Sequence, residues 1–438
     1  MSLLSFKGGV DVSGNKEATE KLPITECPPP ERIFLPMRQH IGAPAEPVVK
    51  VGDEVKIGQV IGKAGGFVSA NIHSSVSGTV KKISTKKIMG TDTVLVEIEN
   101  NFEEEYLELP SYKNSIDDLD TAKIRELLAE SGVVGMGGAG FPIHVKLSPP
   151  ENKPIDTVII NGAECEPYLT GDHRLMLEEG AQVVKGARLI MKSLGVDKAY
   201  IAIENNKPDA LAAMREHVKD EDGIEVVAMK VKYPQGAEKQ LINAITGRYV
   251  PSGGLPMDVG VVVNNIASAK AVADYILDGK PLVDRVCTVT GSGIKKPMNV
   301  RIKNGTLLSH IAENADGMTE DFVKLVLGGP MMGIAATELD VPSTKTTGGL
   351  LFLNEKDAKI PETQPCIKCG KCVEVCPVFL QPIYIARYAE KGLYASSDKY
   401  GALDCIECGA CSFICPSKRP LVHNIRMAKR KILELRKK

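Results

Sequence analysis

Eight of the chain's eleven cysteines fall in two tight runs, while Cys27, Cys165 and Cys287 are scattered. The first run is Cys366-x2-Cys369-x2-Cys372-x3-Cys376-Pro377, and Cys405-x2-Cys408-x2-Cys411-x3-Cys415-Pro416 repeats it. Three thiolates at this spacing wrap one cubane from a single loop, and the fourth points away to complete the neighbouring one. The runs therefore predict two 4Fe–4S clusters. Cys366, Cys369, Cys372 and Cys415 hold one; Cys405, Cys408, Cys411 and Cys376 hold the other. Zinc takes four ligands, typically as two separated pairs, and has no use for such a run. A disulfide scaffold would spread its cysteines through a short secreted chain, so the clustering also points to a reducing compartment. Two close clusters conduct electrons but do not choose a substrate.

A second group of residues suggests what does. Gly135-x-Gly137-x-x-Gly140 fits the dinucleotide pattern G-x-G-x-x-G, but a helix precedes it and Phe141-Pro142 follows, so the ordinary Rossmann placement is poor. Such a loop can still lay backbone N–H groups against a phosphate or a flavin; otherwise it is a tight turn. The loop Asn161 to Pro167 (NGAECEP) lies at the end of a predicted parallel strand, where α/β sheets bind ligands. Its Glu164 and Glu166 can accept hydrogen bonds from ribose hydroxyls or a carboxamide; the bland alternative is a pair of surface acids. Asn264 and Asn265 end another strand and can supply amides to a flavin ring, or merely a turn.

The elements that must carry these groups follow from the patterning. Residues 1–30 are a polar arm. Short strands with turn glycines over 31–105 predict a small barrel or sandwich. The phrase VGDEVKIGQVIG resembles a biotinyl-type barrel-sandwich hybrid, but Gly65-Gly66-Phe67-Val68 stands where a carrier needs its lysine. His73 reads as structural. Residues 115–280 alternate helix and strand as an α/β layer, opening with a helix over Asp117 to Ser131. Residues 281–345 resemble a β-grasp module of the SLBB type, with Thr344 to Gly349 as a linker. A helical bis-cluster unit follows over 355–425, and 426–438 is a basic tail with a solvated face. The fold class is thus multidomain α/β and α+β. A net charge of −1, the absence of Trp and an aromatic content of 5% exclude a nucleic-acid binder in the usual sense. No stretch approaches a membrane span, and the N-terminus lacks the apolar core of a signal peptide.

Together these residues resemble the flavoprotein subunit of respiratory complex I. That family has a glycine loop ending GGAGFP, a later lysine, an acidic N-A-D-E-S-E-P loop, a tyrosine before G-E-E, and a V-N-N strand end. The resemblance implies that FMN contacts Gly135, Gly137, Gly138, Lys146, Asn161, Glu164, Tyr233, Asn264 and Asn265. It also implies that NADH stacks near Phe141 and meets Glu166 and Glu238. Ala163 and Ala237 depart from the family's Asp and Glu. The domain order resembles the RnfC family of the Rnf electron-transport complexes. It implies a peripheral subunit on the cytoplasmic face of a membrane ferredoxin:NAD oxidoreductase, with other Rnf subunits and NAD(H) as partners. NADH gives a hydride and a cluster takes one electron, so a flavin must convert between them; no side-chain acid or base is expected to be essential. A soluble cobalamin reductase shares these modules but carries its barrel C-terminally. The quinone reductase subunit with the same barrel lacks the cysteine runs. An electron wire without a nucleotide site is the non-enzyme alternative.

Overall fold

The computed structural model describes residues 3–113, 116 and 118–436. The expected helix start at Asp117 lies outside them. The helix itself runs Thr121–Glu130, where Asp120 accepts the Lys123 backbone N–H at 2.7 Å. Such a cap contributes about 1 kcal/mol. Ile124, Leu127 and Leu128 form its buried face.

Between Arg32 and Asn100 two small antiparallel sheets fold over one apolar core. One is ordered Arg32–Pro36, Thr91–Asn100, Gly78–Ile88, Glu54–Val55; the other Glu46–Pro47, Val60–Lys63, Ile72–His73. Ile33, Leu35, Ile61, Ile72, Val96 and Ile98 fill the core. Alternation along Arg32–Pro36 and Thr91–Asn100 buries one face of each strand, as period-two patterning requires. His73 is buried and pushed down to about 3 by desolvation first and the nearby Lys345 second.

Four parallel strands form the next layer, in the order Ile224–Met229, Ala199–Glu204, Thr157–Gly162, Val261–Asn265. In chain order this is 3-2-1-4, so the direction of winding reverses between the first strand and the fourth. Doubly wound sheets bind ligands at that crevice. Helices Gly180–Leu194 and Ile266–Asp278 pack tightly on the sheet. Their approach depends on Gly186, because a Cβ there would stand 1.8 Å from the Ala269 carbonyl oxygen.

The β-grasp module is a six-stranded sheet that exceeds the expected boundaries at both ends. It takes Ile24–Glu26 from the supposed arm, paired in parallel with Met298–Lys303. It also takes Gly349–Asn354 from beyond the expected end at 345, paired with Asp284–Thr290 and Phe322–Leu327. The supposed linker around Lys345 is largely buried, because it crosses beneath the barrel and the glycine loop.

In the cysteine-rich unit the repeat is conformational as well as sequential. Lys368 and Glu407 have φ of 59° and 58°, and Gly370 and Gly409 of 79° and 80°. Each glycine opens a one-turn helix carrying the third cysteine of its run, Lys371–Glu374 and Ala410–Phe413. The basic tail is the second half of one helix, Leu421–Arg436. Leu421, Ile425, Ala428 and Ile432 bury one face at the 3–4 spacing of an amphipathic helix. Lys429 donates to the Cys405 carbonyl at 2.7 Å, and with Arg426 it grips Glu407. The tail thus docks one face into the unit's core, while Arg430, Lys431 and Arg436 keep the expected solvated face. No described helix is long and apolar enough to cross a membrane.

Candidate functional site

The crevice between the strand ends gathers most of the expected flavin contacts. Parallel register sets Asn265 beside Asn161. Asn161 shapes its own loop, donating to the Gly236 carbonyl at 2.7 Å and accepting the Ala163 N–H at 3.0 Å. Asn265 caps the helix Ile266–Asp278 by accepting from the Ala267 N–H at 2.8 Å, and its amide donates to Asp172 at 2.6 Å.

The glycine loop reaches the crevice from outside the sheet. Its neck closes through Gly135 N–H to the Phe141 carbonyl at 2.8 Å. Ser268 pins it, accepting from the Met136 N–H at 2.9 Å and donating to the Val134 carbonyl. Gly137 then lies on Asn265, where a Cβ would approach that side chain at 3.1 Å. Gly138 faces open space, with nothing within 4 Å of a Cβ. At the rim Lys146 and Glu238 pair at 2.7 Å, joining an expected flavin contact to an expected nucleotide contact. Phe141 is half-buried beside them in sequence.

Beneath the loop lies a buried charge cluster of which only Glu164 was expected. Glu164 accepts the Asp172 N–H at 2.8 Å and pairs with Lys16 at 3.6 Å. Burial and then the Glu164 charge raise the Asp172 carboxyl. Arg285 is fully buried against both acids and donates to the Met136 carbonyl at 3.1 Å. No spacing in the sequence marks Lys16, Asp172 or Arg285, because tertiary contact alone joins them. Asn264 Nδ2, Arg285 Nε and the Gln235 amide are buried with no hydrogen-bond partner among the described residues. Glu164 Oε2 accepts no hydrogen bond either. Buried polar groups are normally paired. Several orphaned donors and acceptors beside an open glycine cradle therefore fit a polar, phosphate-bearing ring cofactor.

Glu166 is differently placed. Its carboxylate accepts the Met331 and Met332 N–H groups at 3.2 and 2.9 Å, and the Tyr233 hydroxyl at 3.3 Å. Burial raises it, and these donors oppose the shift. Its oxygens are occupied in tying the β-grasp loop to the α/β layer. Tyr233, 1% exposed, directs its hydroxyl at 2.7 Å to the carbonyl of Cys408.

The thiols segregate across the two runs. Cys376 lies close enough to Cys405, Cys408 and Cys411 for its charge to raise each of them, after burial. Those four thiols line one cavity with Leu380 and Ile425. Cys372 has Cys415 and Cys366 as its charged neighbours. Backbone N–H groups already point at sulfur: Leu380 to Cys376 at 3.2 Å, Lys368 to Cys366 and Glu407 to Cys405 at 3.4 Å. An all-thiol donor set, in an apolar cavity and with N–H···S bonds, fits cubane clusters. The two groups differ in environment. Cys376, Cys408 and Cys411 are buried, Cys408 in one apolar cluster with Tyr233, whereas Cys366 and Cys369 are exposed.

Comparison with known families agrees with this division of labour. Residues 128–274 match the Nuo51 FMN-binding domain, and residues 4–103 the RnfC barrel sandwich hybrid domain. Residues 286–335 match the SLBB domain, and residues 358–416 a 4Fe-4S dicluster domain. The chain is 45% identical to the C subunit of the Na(+)-translocating ferredoxin:NAD(+) oxidoreductase complex of Acetobacterium woodii, over 99% of this chain and 98% of that one. It is 46% identical to the C subunit of the proton-translocating ferredoxin:NAD(+) oxidoreductase complex of Clostridium ljungdahlii, over 98% and 94%. It is 41% identical to the C subunit of an ion-translocating oxidoreductase complex of Rhodobacter capsulatus, over 98% and 83%. Among solved structures, a chain of an NAD+-reducing [NiFe]-hydrogenase in the H2-reduced state shares the fold. Its TM-score is 0.51 at 18% identity, covering 72% of this chain and 63% of that one.

Proposed function

Because this chain belongs to the family of C subunits of ion-translocating ferredoxin:NAD oxidoreductase complexes, we propose that it relays electrons between its two clusters, FMN and NAD(H). The observation that supports this best is the Cys408–Tyr233–Glu166 contact, which sets the buried thiol group against the acidic loop of the flavin crevice. FMN, when bound, exchanges a hydride with NAD(H) and single electrons with a cluster. The glycine loop, with Lys146, Asn161, Glu164, Tyr233, Asn264 and Asn265, forms or shapes its cradle. Phe141, Glu166 and Glu238 are assigned to the nucleotide side, with Glu238 the better placed because Glu166 is engaged by Met331 and Met332.

Cys366 and Cys369 are exposed, so they would hold their cluster within reach of other subunits. The buried group serves the flavin. For NAD+ reduction the crevice residues would hold the flavin where two electrons, taken one at a time, and one proton make up the hydride passed to NAD+. The protein sits peripherally, on the cytoplasmic face of the membrane. Anaerobic reconstitution with iron, sulfide and FMN, followed by NADH:ferricyanide assay, tests the whole reading. NADH-dependent turnover that requires FMN is expected. Reducible clusters without any NADH reaction would replace this assignment by the electron-wire one.

A further inference from the structure

We propose that Lys16, on the N-terminal segment, is a positioning residue for the flavin, holding the acidic loop in place and neutralising its charge; this rests on the FMN reading of the crevice. The segment is not a free arm. Leu4 bridges to Met229 on the edge of the parallel sheet. Val10 and Tyr233 exchange backbone hydrogen bonds at 2.8 and 2.9 Å, and Gly9 donates to the Val375 carbonyl at 2.8 Å. Tyr168 then donates to the Gly14 carbonyl at 2.7 Å. With the strap fixed on both sides, Asn15 turns through φ 47° and Lys16 enters the protein.

The ammonium donates to the Glu164 carbonyl at 2.9 Å and to the Leu169 carbonyl, and stands 3.6 Å from Glu164 Oε2. Two carbonyls and a carboxylate from a single loop make it the pin on which residues 164–169 hang. It also limits a charge excess: Glu164, Glu166 and Asp172 are the buried acids here, and Lys16 and Arg285 the buried cations. The nearby Glu204–Lys207 pair, 3.2 Å apart and 2% exposed, cancels within itself. Breaking a buried pair leaves an uncompensated charge. Without Lys16 the negative surplus grows by one charge under the flavin cradle. Flavin reduction adds electron density there, so this surplus opposes it.

The test uses the full chain with reconstituted clusters. It compares wild type, Lys16→Met, Lys16→Arg and the double variant Lys16→Met/Glu164→Gln. FMN affinity is read from quenching of flavin fluorescence, and the flavin midpoint from spectroelectrochemical titration. Lys16→Met should bind FMN about tenfold more weakly or worse, equivalent to about 1.4 kcal/mol, with a more negative midpoint. Arginine should recover both in part. The double variant restores the wild-type net charge of the cluster, so its midpoint should lie closer to wild type than that of Lys16→Met. If Lys16→Met fails to fold, the double variant is read against wild type alone: a folded protein with a near-wild-type midpoint supports the role, and a folded one with a clearly more negative midpoint overturns it. Wild-type binding with unchanged affinity and midpoint in Lys16→Met overturns the role of Lys16 alone. So does a double variant whose midpoint stays as far from wild type as the single one. A wild-type chain that binds no FMN overturns the flavin reading, and this role with it.

Discussion

Glu166 carries the consequences of tertiary contact most directly. In the sequence it is one of two acids on a strand-end loop; in the fold its oxygens receive two backbone amides and a tyrosine hydroxyl. Replacing it by alanine leaves the Met331 and Met332 N–H groups without their acceptor. Met331 is part-buried and Met332 exposed, so the loss lies at the low end of the roughly 1–3 kcal/mol for an unsatisfied buried group, and Glu166→Ala should melt at a slightly lower temperature while keeping its irons. An unchanged melting curve would show that those amides find water instead. Lys345 makes a pH prediction. Burial pushes its ammonium down from 10.5 to about 7, although the Gly132 carbonyl accepts from it at 2.7 Å. Between those values the unfolded chain binds more protons than the folded one, so this group makes stability rise with pH from about 7 to about 10. Below 7 its contribution is level, with the cost of the buried charge fully present. Melting of wild type against Lys345→Met over that range should show the rise only in wild type.

Among the elements, the glycine loop separates folding from binding. A Cβ on Gly137 would crowd Asn265, but one on Gly138 meets nothing within 4 Å and its φ is not left-handed. Gly138→Val should therefore fold, keep its clusters and fill the space over the cradle. Loss of FMN with iron content unchanged is the expected outcome; stoichiometric FMN in this variant would place the flavin elsewhere. The loop's sequence was legible and its position was not. Its pattern announces a backbone that can approach a ligand, whereas Ser268, the residue that pins it to the crevice, stands 132 residues away from Met136.

For the whole molecule, the two thiol groups occupy unequal positions. Cys376 is buried with the second run, and Cys415 is a neighbour of the first. Cys376→Ala should disturb the cluster of Cys405, Cys408 and Cys411, and Cys415→Ala the other, as read by low-temperature EPR of each variant. The same signal lost in both variants would refute the crossing. Because Cys366 and Cys369 are exposed and Cys408 is 8% exposed, an iron chelator should strip the outer cluster first in the wild-type protein. Simultaneous loss would mean that solvent reaches both alike.

The chemistry was written in local spacing. A cubane is wrapped by residues two or three apart, so both runs and the order of domains could be read from the chain. Strand and helix periodicity likewise marked the α/β layer. Contacts distant in sequence could not be read, because their partners share no period. Lys16 meets a loop 148 residues away, and Arg285 reaches the glycine loop across 149. The strand Ile24–Glu26 joins a sheet whose other members begin at Asp284. The tail of the helix Leu421–Arg436 looked solvated because Arg426, Lys429, Arg430, Lys431 and Arg436 crowd it. Only packing revealed that Leu421, Ile425, Ala428 and Ile432 share the buried face. Spacing thus determined which groups this protein carries, and burial decided which of them face the crevice, the solvent or one another.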